Sequence, residues 1–182
     1  MTNVTETGTP AVAPKQTATS RVVAYPSKIL KPIPSFVFSV PEGWVIDEAP
    51  DALAVIRTPR AVDDFWVNAI LSHDRVPRTV DFKQAAQITF AKLKKGSPDT
   101  KVTMERLARF GANVVYLRGA EMQAPKSGRQ LAQLHALFFA PVDKDDKGKT
   151  VDFFQFIATA PSDLMGRFGN AFVEMISTFK FV

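Results

Sequence analysis

The chain has 182 residues and a mass of 20.1 kDa, with 46% of its residues hydrophobic and 23% charged. That is the composition of about one folded domain with a core of its own, not of a disordered, collagen-like or coiled-coil chain. The absence of cysteine excludes disulfides, thiolate catalysis, zinc–cysteine sites and a lipidated cysteine. A net charge of +5 and a pI near 9.6 raise nucleic acid as a partner, but the charge is unevenly placed. Lys15, Arg21, Lys28 and Lys31 against Glu6 give the first 34 residues +3, and the remainder, with 19 basic and 17 acidic residues, keeps +2. Its charges are interleaved, as in Asp143-Lys144-Asp145-Asp146-Lys147, which argues against a nucleic-acid surface. Lys92, Lys94 and Lys95 cluster where a helix C-terminus favours cations.

Residues 1–34, rich in Thr, Ala and Pro, read as a flexible leader, with Val22, Val23, Ile29 and Leu30 placed to dock onto the domain. Their apolar residues never gather into a signal-peptide core, and no apolar stretch is long enough for a membrane span. With no cysteine either, the expected location is cytoplasmic. A single domain is expected over 35–182. Ser35 to Val40 alternates as a strand that Pro41-Glu42-Gly43 ends, with Trp44 directly after. Leu53 to Arg57 and Phe65 to Leu71 read as the second and third strands. The period then changes: Phe82, Ala85, Ala86, Thr89 and Leu93 mark an amphipathic helix, with Thr79 at the N-cap and Gly96 past its end. Four strands follow, at Val102 to Arg109, Asn113 to Gly119, Gln130 to Phe139 and Val151 to Thr159. A second helix closes the chain, capped by Ser162 and striped by Leu164, Phe168, Phe172, Met175, Ile176 and Phe179.

Short loops cannot join parallel strands, so the order βββαββββα implies a mainly antiparallel sheet of about seven strands, an α+β fold arranged as an α/β/α sandwich. One sheet face is wholly apolar in Phe65, Val67, Ala69 and Leu71, whereas Trp66, Asn68, Ile70 and Ser72 mix apolar with polar. The same split recurs in the strands of Gln133 and His135 and of Gln155. If the strands pair in this order, Trp66, Asn68, Tyr116, Gln133, His135 and Gln155 share the mixed face. An apolar floor with a few polar groups suits a small amphiphile or a partner segment.

The run Phe36-Val37-Phe38-Ser39-Val40-Pro41-Glu42-Gly43-Trp44, followed by an acidic loop and the strand Leu53 to Arg57, resembles the entry hairpin of PsbP-like domains, a fold shared with Mog proteins. The chain is most similar to actinobacterial LpqN-type proteins, but lacks their export signal and lipid-bearing cysteine. The resemblance covers 35–182 through element order and implies the Mog/PsbP-like fold and a non-enzymatic binding or adaptor module engaging a protein partner or amphiphilic ligand. It also implies, as an alternative, a secretion-related chaperone.

Chemical motifs are few. Two histidines and no cysteine allow a metal site only with carboxylates, no H-x-x-x-H or H-E-x-x-H spacing exists, and neither a metal nor a cofactor is expected. Gly148-Lys149-Thr150 copies the end of a phosphate loop, but Asp143 stands where its first glycine belongs. The same stretch fails as a calcium loop at Lys147 and Phe154. His135 reads as a hydrogen-bonded structural residue and His73 as a solvated strand end. A hydrolase or transferase using loop carboxylates (Asp47, Glu48, Asp51, Asp63, Asp64) with His135 or His73 is the catalytic alternative.

Overall fold

A computed structural model of the chain describes Pro26 and residues 31–182. Val22, Val23, Ile29 and Leu30, expected to dock, lie outside the described residues. From Lys101 onward, alternating side chains build four long strands, β5 (Lys101–Phe110), β6 (Asn113–Gln123), β7 (Gln130–Phe139) and β8 (Thr150–Pro161). Gly111 and Gly128, at φ 58° and 66°, take the left-handed conformation that their turns require. Before them come β1 (Phe36–Val37), β2 (Val45–Ala49), β3 (Ala52–Arg57), β4 (Asn68–Pro77) and helix α1 (Phe82–Gly96); after them come α2 (Met165–Thr178) and β9 (Lys180–Phe181).

The main sheet has seven antiparallel strands in the order β2-β3-β4-β8-β7-β6-β5. A helix lies against each face, which makes the fold α+β, as the element order implies. Helix α2 and the segment Phe36–Trp44 cover the apolar face, where Ile56, Leu71, Phe138, Phe154, Phe156 and Phe172 are fully buried. Trp44 packs edge-on against Phe168 and Phe172, so the Pro-Glu-Gly turn before it serves to drop the indole onto α2. Helix α1 covers part of the mixed face through Ala85 and Ala86, which pack with Leu137 and Phe153, and through Leu93 beside Ala120, Met122 and Leu131.

Several boundaries differ from the sequence reading. The expected strand 35–40 pairs only over Phe36–Val37, and with β9 rather than with the sheet. Its place in the sheet is taken by β2, in the stretch read as an acidic loop: Val45-Ile46-Asp47-Glu48-Ala49 still alternates, and Asp47, opposite Val55, pairs with Arg57 on the mixed face. The third strand begins at Asn68 rather than Phe65, because Val62 and Phe65 close a tight turn on each other. It continues to Pro77 because β8 offers partners that far, with His73 opposite Phe154 and Val76 opposite Val151. The N-cap of α1 is Asp81, not Thr79; the Asp81 side chain accepts from the Gln84 amide, and the Gln84 side chain accepts from the Asp81 amide. Ser162 opens a single 3-10 turn ahead of α2 and makes no capping bond. Among the described residues no helix is long and apolar enough to cross a membrane.

Candidate functional site

Strand register lays the mixed face out in rows. One runs Arg57–Asn68–Thr159–Gln133–Ala120, the next Val55–Ile70–Ile157–His135–Arg118–Glu105, the third Ser72–Gln155–Leu137–Tyr116–Leu107. Asn68, Tyr116, Gln133, His135 and Gln155 therefore share one face by pairing alone. Trp66, just before β4, joins them: the Arg57 guanidinium lies 4.4 Å over its ring, and its carbonyl accepts 2.7 Å from the Asn68 amide.

Helix α1 divides this face. Phe82 packs at a tilt against Phe139, Ala85 and Ala86 press on Leu137, and Phe90 lies over the Arg118 guanidinium, so the helix axis runs above β7 and β6. On its β5 flank is a cleft of about 360 Å³ lined by Tyr116, Arg118, Glu105, Lys83 and Leu107. On its β4 flank is a groove of about 330 Å³ lined by Ser72, Gln155, Phe153, Ile88, Thr89 and Lys92. Beyond the groove, toward β3, no helix among the described residues covers the sheet, and Trp66, Ile70 and Leu53 are 46%, 36% and 37% exposed. Tyr116 lies three strands from Asn68, about 14 Å at ordinary strand spacing, with α1 between. The structure thus sets Trp66, Asn68 and Gln155 toward the open flank, keeps His135 buried beneath the helix with Gln133 half-buried beside it, and puts Tyr116 on the opposite flank.

Under the helix the polar groups are joined to one another. His135 is 2% exposed; its Nε2 lies 2.8 Å from Gln133 Oε1, and the Gln133 amide donates to Thr159 Oγ1 at 3.2 Å. Since that amide nitrogen is engaged with Thr159, Oε1 accepts from a protonated Nε2, which leaves Nδ1 as a bare acceptor with no partner. Burial, and secondarily the Arg118 charge opposite, push the His135 pKa down to about 4, so the ring is neutral. Arg118 is itself 2% exposed; Nε donates 2.9 Å to Glu105 and Nη2 donates 2.7 Å to the Ala86 carbonyl, tying α1 to the sheet. A hydrogen bond from Tyr116, with Arg118 adding to it, holds Glu105 below the usual carboxylate range, and burial together with that same bond raises Tyr116.

Sequence reasoning passed over Arg118 and Ile88, and placed Ile70 on the mixed face without counting it among the site residues. Arg118 carries a signal, as the one charge inside Val114-Val115-Tyr116-Leu117-Arg118-Gly119 and in phase with Tyr116. Ile88 carries another, as an isoleucine off the apolar stripe of α1 and 51% exposed. His73, read as a solvated strand end, is instead mid-strand on the apolar face, 4.9 Å from the Phe154 ring and 2.8 Å from Asp152, which also accepts from Arg75. Of the loop acids weighed for catalysis, Asp47 is on β2 and paired with Arg57, while Asp63 and Asp64 form a tight turn at φ 50° and 60°. Among the described residues no three carboxylate or imidazole groups gather as a metal ion would need. A larger cleft, about 950 Å³, opens at the far end of the sheet near Phe110, Phe139 and Phe181. Its Asn113 donates to the Phe179 carbonyl and its Thr178 accepts from the Ser39 amide, so it offers a ligand fewer unengaged polar groups than the α1 flank.

This arrangement of sheet and helices is that of the PsbP/Mog-like fold. No family model and no curated protein matches the chain in sequence. Solved structures do: LpqN of Mycobacterium tuberculosis, involved in cell envelope biogenesis, superposes with a TM-score of 0.65 at 16% identity over 82% of this chain and 84% of that one. PsbP of the cyanobacterium Synechocystis gives 0.56 at 13% over 81% and 86%. The Ran-binding protein Mog1p of Saccharomyces cerevisiae gives 0.52 at 16% over 81% and 90%. At these identities the likeness is one of fold.

Proposed function

We propose that this chain is a non-catalytic binding module that seats a segment of a protein partner on the open half of the mixed face, along the groove between α1 and β4. The observation that carries the reading is the set of exposed apolar residues on this half of the face, Leu53, Trp66 and Ile70 on or beside the sheet and Ile88 on the groove wall, each at least 36% exposed, beside the polar side chains of Asn68, Ser72 and Gln155. Exposed apolar surface with a polar rim is what a docking face requires, and a half-exposed tryptophan is a typical anchor. The groove's 330 Å³ lies at the small end for an amphiphile, and its open continuation toward Trp66 suits an extended segment better. The Ran-binding Mog1p has the same fold, which supports a protein partner at the level of fold alone.

The test is to isolate the complex formed by the tagged full chain in its source cells, rebuild it from purified components and measure affinity. Trp66→Ala and Ile70→Lys should each weaken it by about 30-fold, the loss expected for an anchor residue, without lowering the melting temperature. Val173→Lys, at an exposed position on α2, should leave affinity unchanged. Equal affinity in all three variants would overturn the reading.

A further inference from the structure

The main sheet ends on two edge strands of unequal character. β2 has five residues and a register shift between Asp47 and Ala49, both ordinary ways of blunting an edge. β5 has ten residues, and among the described residues its only strand neighbour is β6. Its own register shift falls between Val102 and Met104, so the regular part of its ladder with β6 is Met104–Phe110, and the midpoint of that stretch is Leu107. Leu107 is 61% exposed.

We propose that this edge is a homodimer interface, in which Met104–Phe110 pairs antiparallel with the same segment of a second copy about a two-fold axis through Leu107, joining two seven-stranded sheets into one. An antiparallel pair of identical strands has its axis perpendicular to the sheet, so residues placed opposite each other must already lie on the same face of β5. That leaves few registers. Centring on Glu105 sets Glu105 against itself, and centring on Arg106 sets Arg106 against itself; both place like charges in contact. Centring on Ala108 puts Glu105 opposite the Gly111 turn and Leu107 opposite Arg109.

Centring on Leu107 resolves every position. Glu105 meets Arg109 of the second copy, twice by symmetry. Leu107 meets Leu107 between those two ion pairs. On the other face Met104 meets Phe110, both side chains already leaning on the core beneath α2, and Arg106 meets Ala108. Glu105 retains acceptor sites for this: its carboxylate, with about four lone-pair sites, takes bonds from Arg118 and Tyr116, and its side chain is still 45% exposed. The charges that would guard this edge against a foreign strand thus select a single register with a second copy.

The chain holds no cysteine, so cross-linking of the full-length protein gives a clean test. Leu107→Cys places two thiols one residue pair apart, with Cα atoms about 5 Å from each other, within disulfide reach. Arg109→Cys separates them by about 14 Å along the strands, out of reach. Oxidation should convert Leu107→Cys to a covalent dimer and leave Arg109→Cys monomeric. Light scattering over a concentration series should show a reversible dimer for the unmodified chain, and Arg109→Glu, which sets two pairs of acids against each other, should raise its dissociation constant about tenfold. A chain that stays monomeric at every concentration, or cross-linking through position 109 as readily as through 107, would overturn the proposal.

Discussion

His135 shows how burial sets the chemistry of one side chain. An imidazole beneath α1, facing a buried guanidinium, gains nothing from a proton and loses its hydration if it takes one. Its folded pKa near 4 lies below the ordinary value of 6.5, so between those limits the unfolded chain binds a proton that the folded chain refuses. Stability from this residue is therefore full above about pH 6.5, falls as the pH drops, and levels off below about 4. Over the whole window the loss is about 3 kcal/mol, in proportion to the separation of the two pKa values. Carboxylates such as Glu105, held low in the fold, bend the curve in the same direction, so the measurement is a difference. Urea melts of the native chain and of His135→Gln from pH 4 to 7 should diverge toward neutrality, with the variant lacking the steep rise. Parallel curves would mean that the ring takes its proton in the fold. The same burial matters for function, because a ring 2% exposed and bonded to Gln133 lies beneath the helix, out of reach of a molecule in the groove.

At the scale of elements, the capping box of α1 decides where the helix starts and hence how much of the mixed face it covers. Asp81→Ala removes the bond to the Gln84 amide and should lower stability by about 1 kcal/mol, read as a reduced midpoint in urea with an unchanged slope. Thr79→Ala should change nothing measurable, which separates the observed cap from the one its position suggests. Both residues are good caps by type; the choice falls to Asp81 because Gln84 stands three residues on and Val80 turns inward against the α1 cluster. That distinction marks how far a local pattern reads. Period-two alternation located β3 and β5 to β8 and their common mixed face, since burial on one side dictates it residue by residue. It missed β2 and β9, which are short and are strands by virtue of the neighbours they find, and it placed the start of β4 three residues early because the turn at Val62–Phe65 depends on two aspartates at positive φ. Five of the six residues assigned to the mixed face share it by register, with Trp66 just before β4, but which of them α1 would cover depends on the angle at which the helix crosses, and no periodicity contains that angle. Tyr116 and Gln155 stand in one register row and end on opposite flanks for this reason.

For the whole molecule, the determining contacts are those that join its ends. Phe36 and Val37 pair with Phe181 and Lys180, the Val182 amide donates to the Ser35 carbonyl, and the Ser39 amide donates to Thr178 across 139 positions of sequence. At the centre is Phe179, 1% exposed, with Phe138, Phe36, Phe181, Phe154 and Phe38 at centroid distances of 4.7, 5.2, 5.3, 5.9 and 6.1 Å. The meander β5 to β8 can form from neighbouring strands, whereas this cluster needs both ends of the domain together and carries the largest loop-closure cost. It should therefore form after the folding transition state. Phe179→Ala leaves a cavity between sheet and α2 and should cost about 4 kcal/mol, lowering the melting temperature by about 10 °C or more. Because the contacts form late, that cost should appear almost wholly as faster unfolding, with the folding limb of the chevron little moved. A folding rate that falls in proportion to the lost stability would instead place the joining of the ends in the nucleus, and would make the segment Phe36–Trp44 an early strut of the sheet rather than the strap that closes over it.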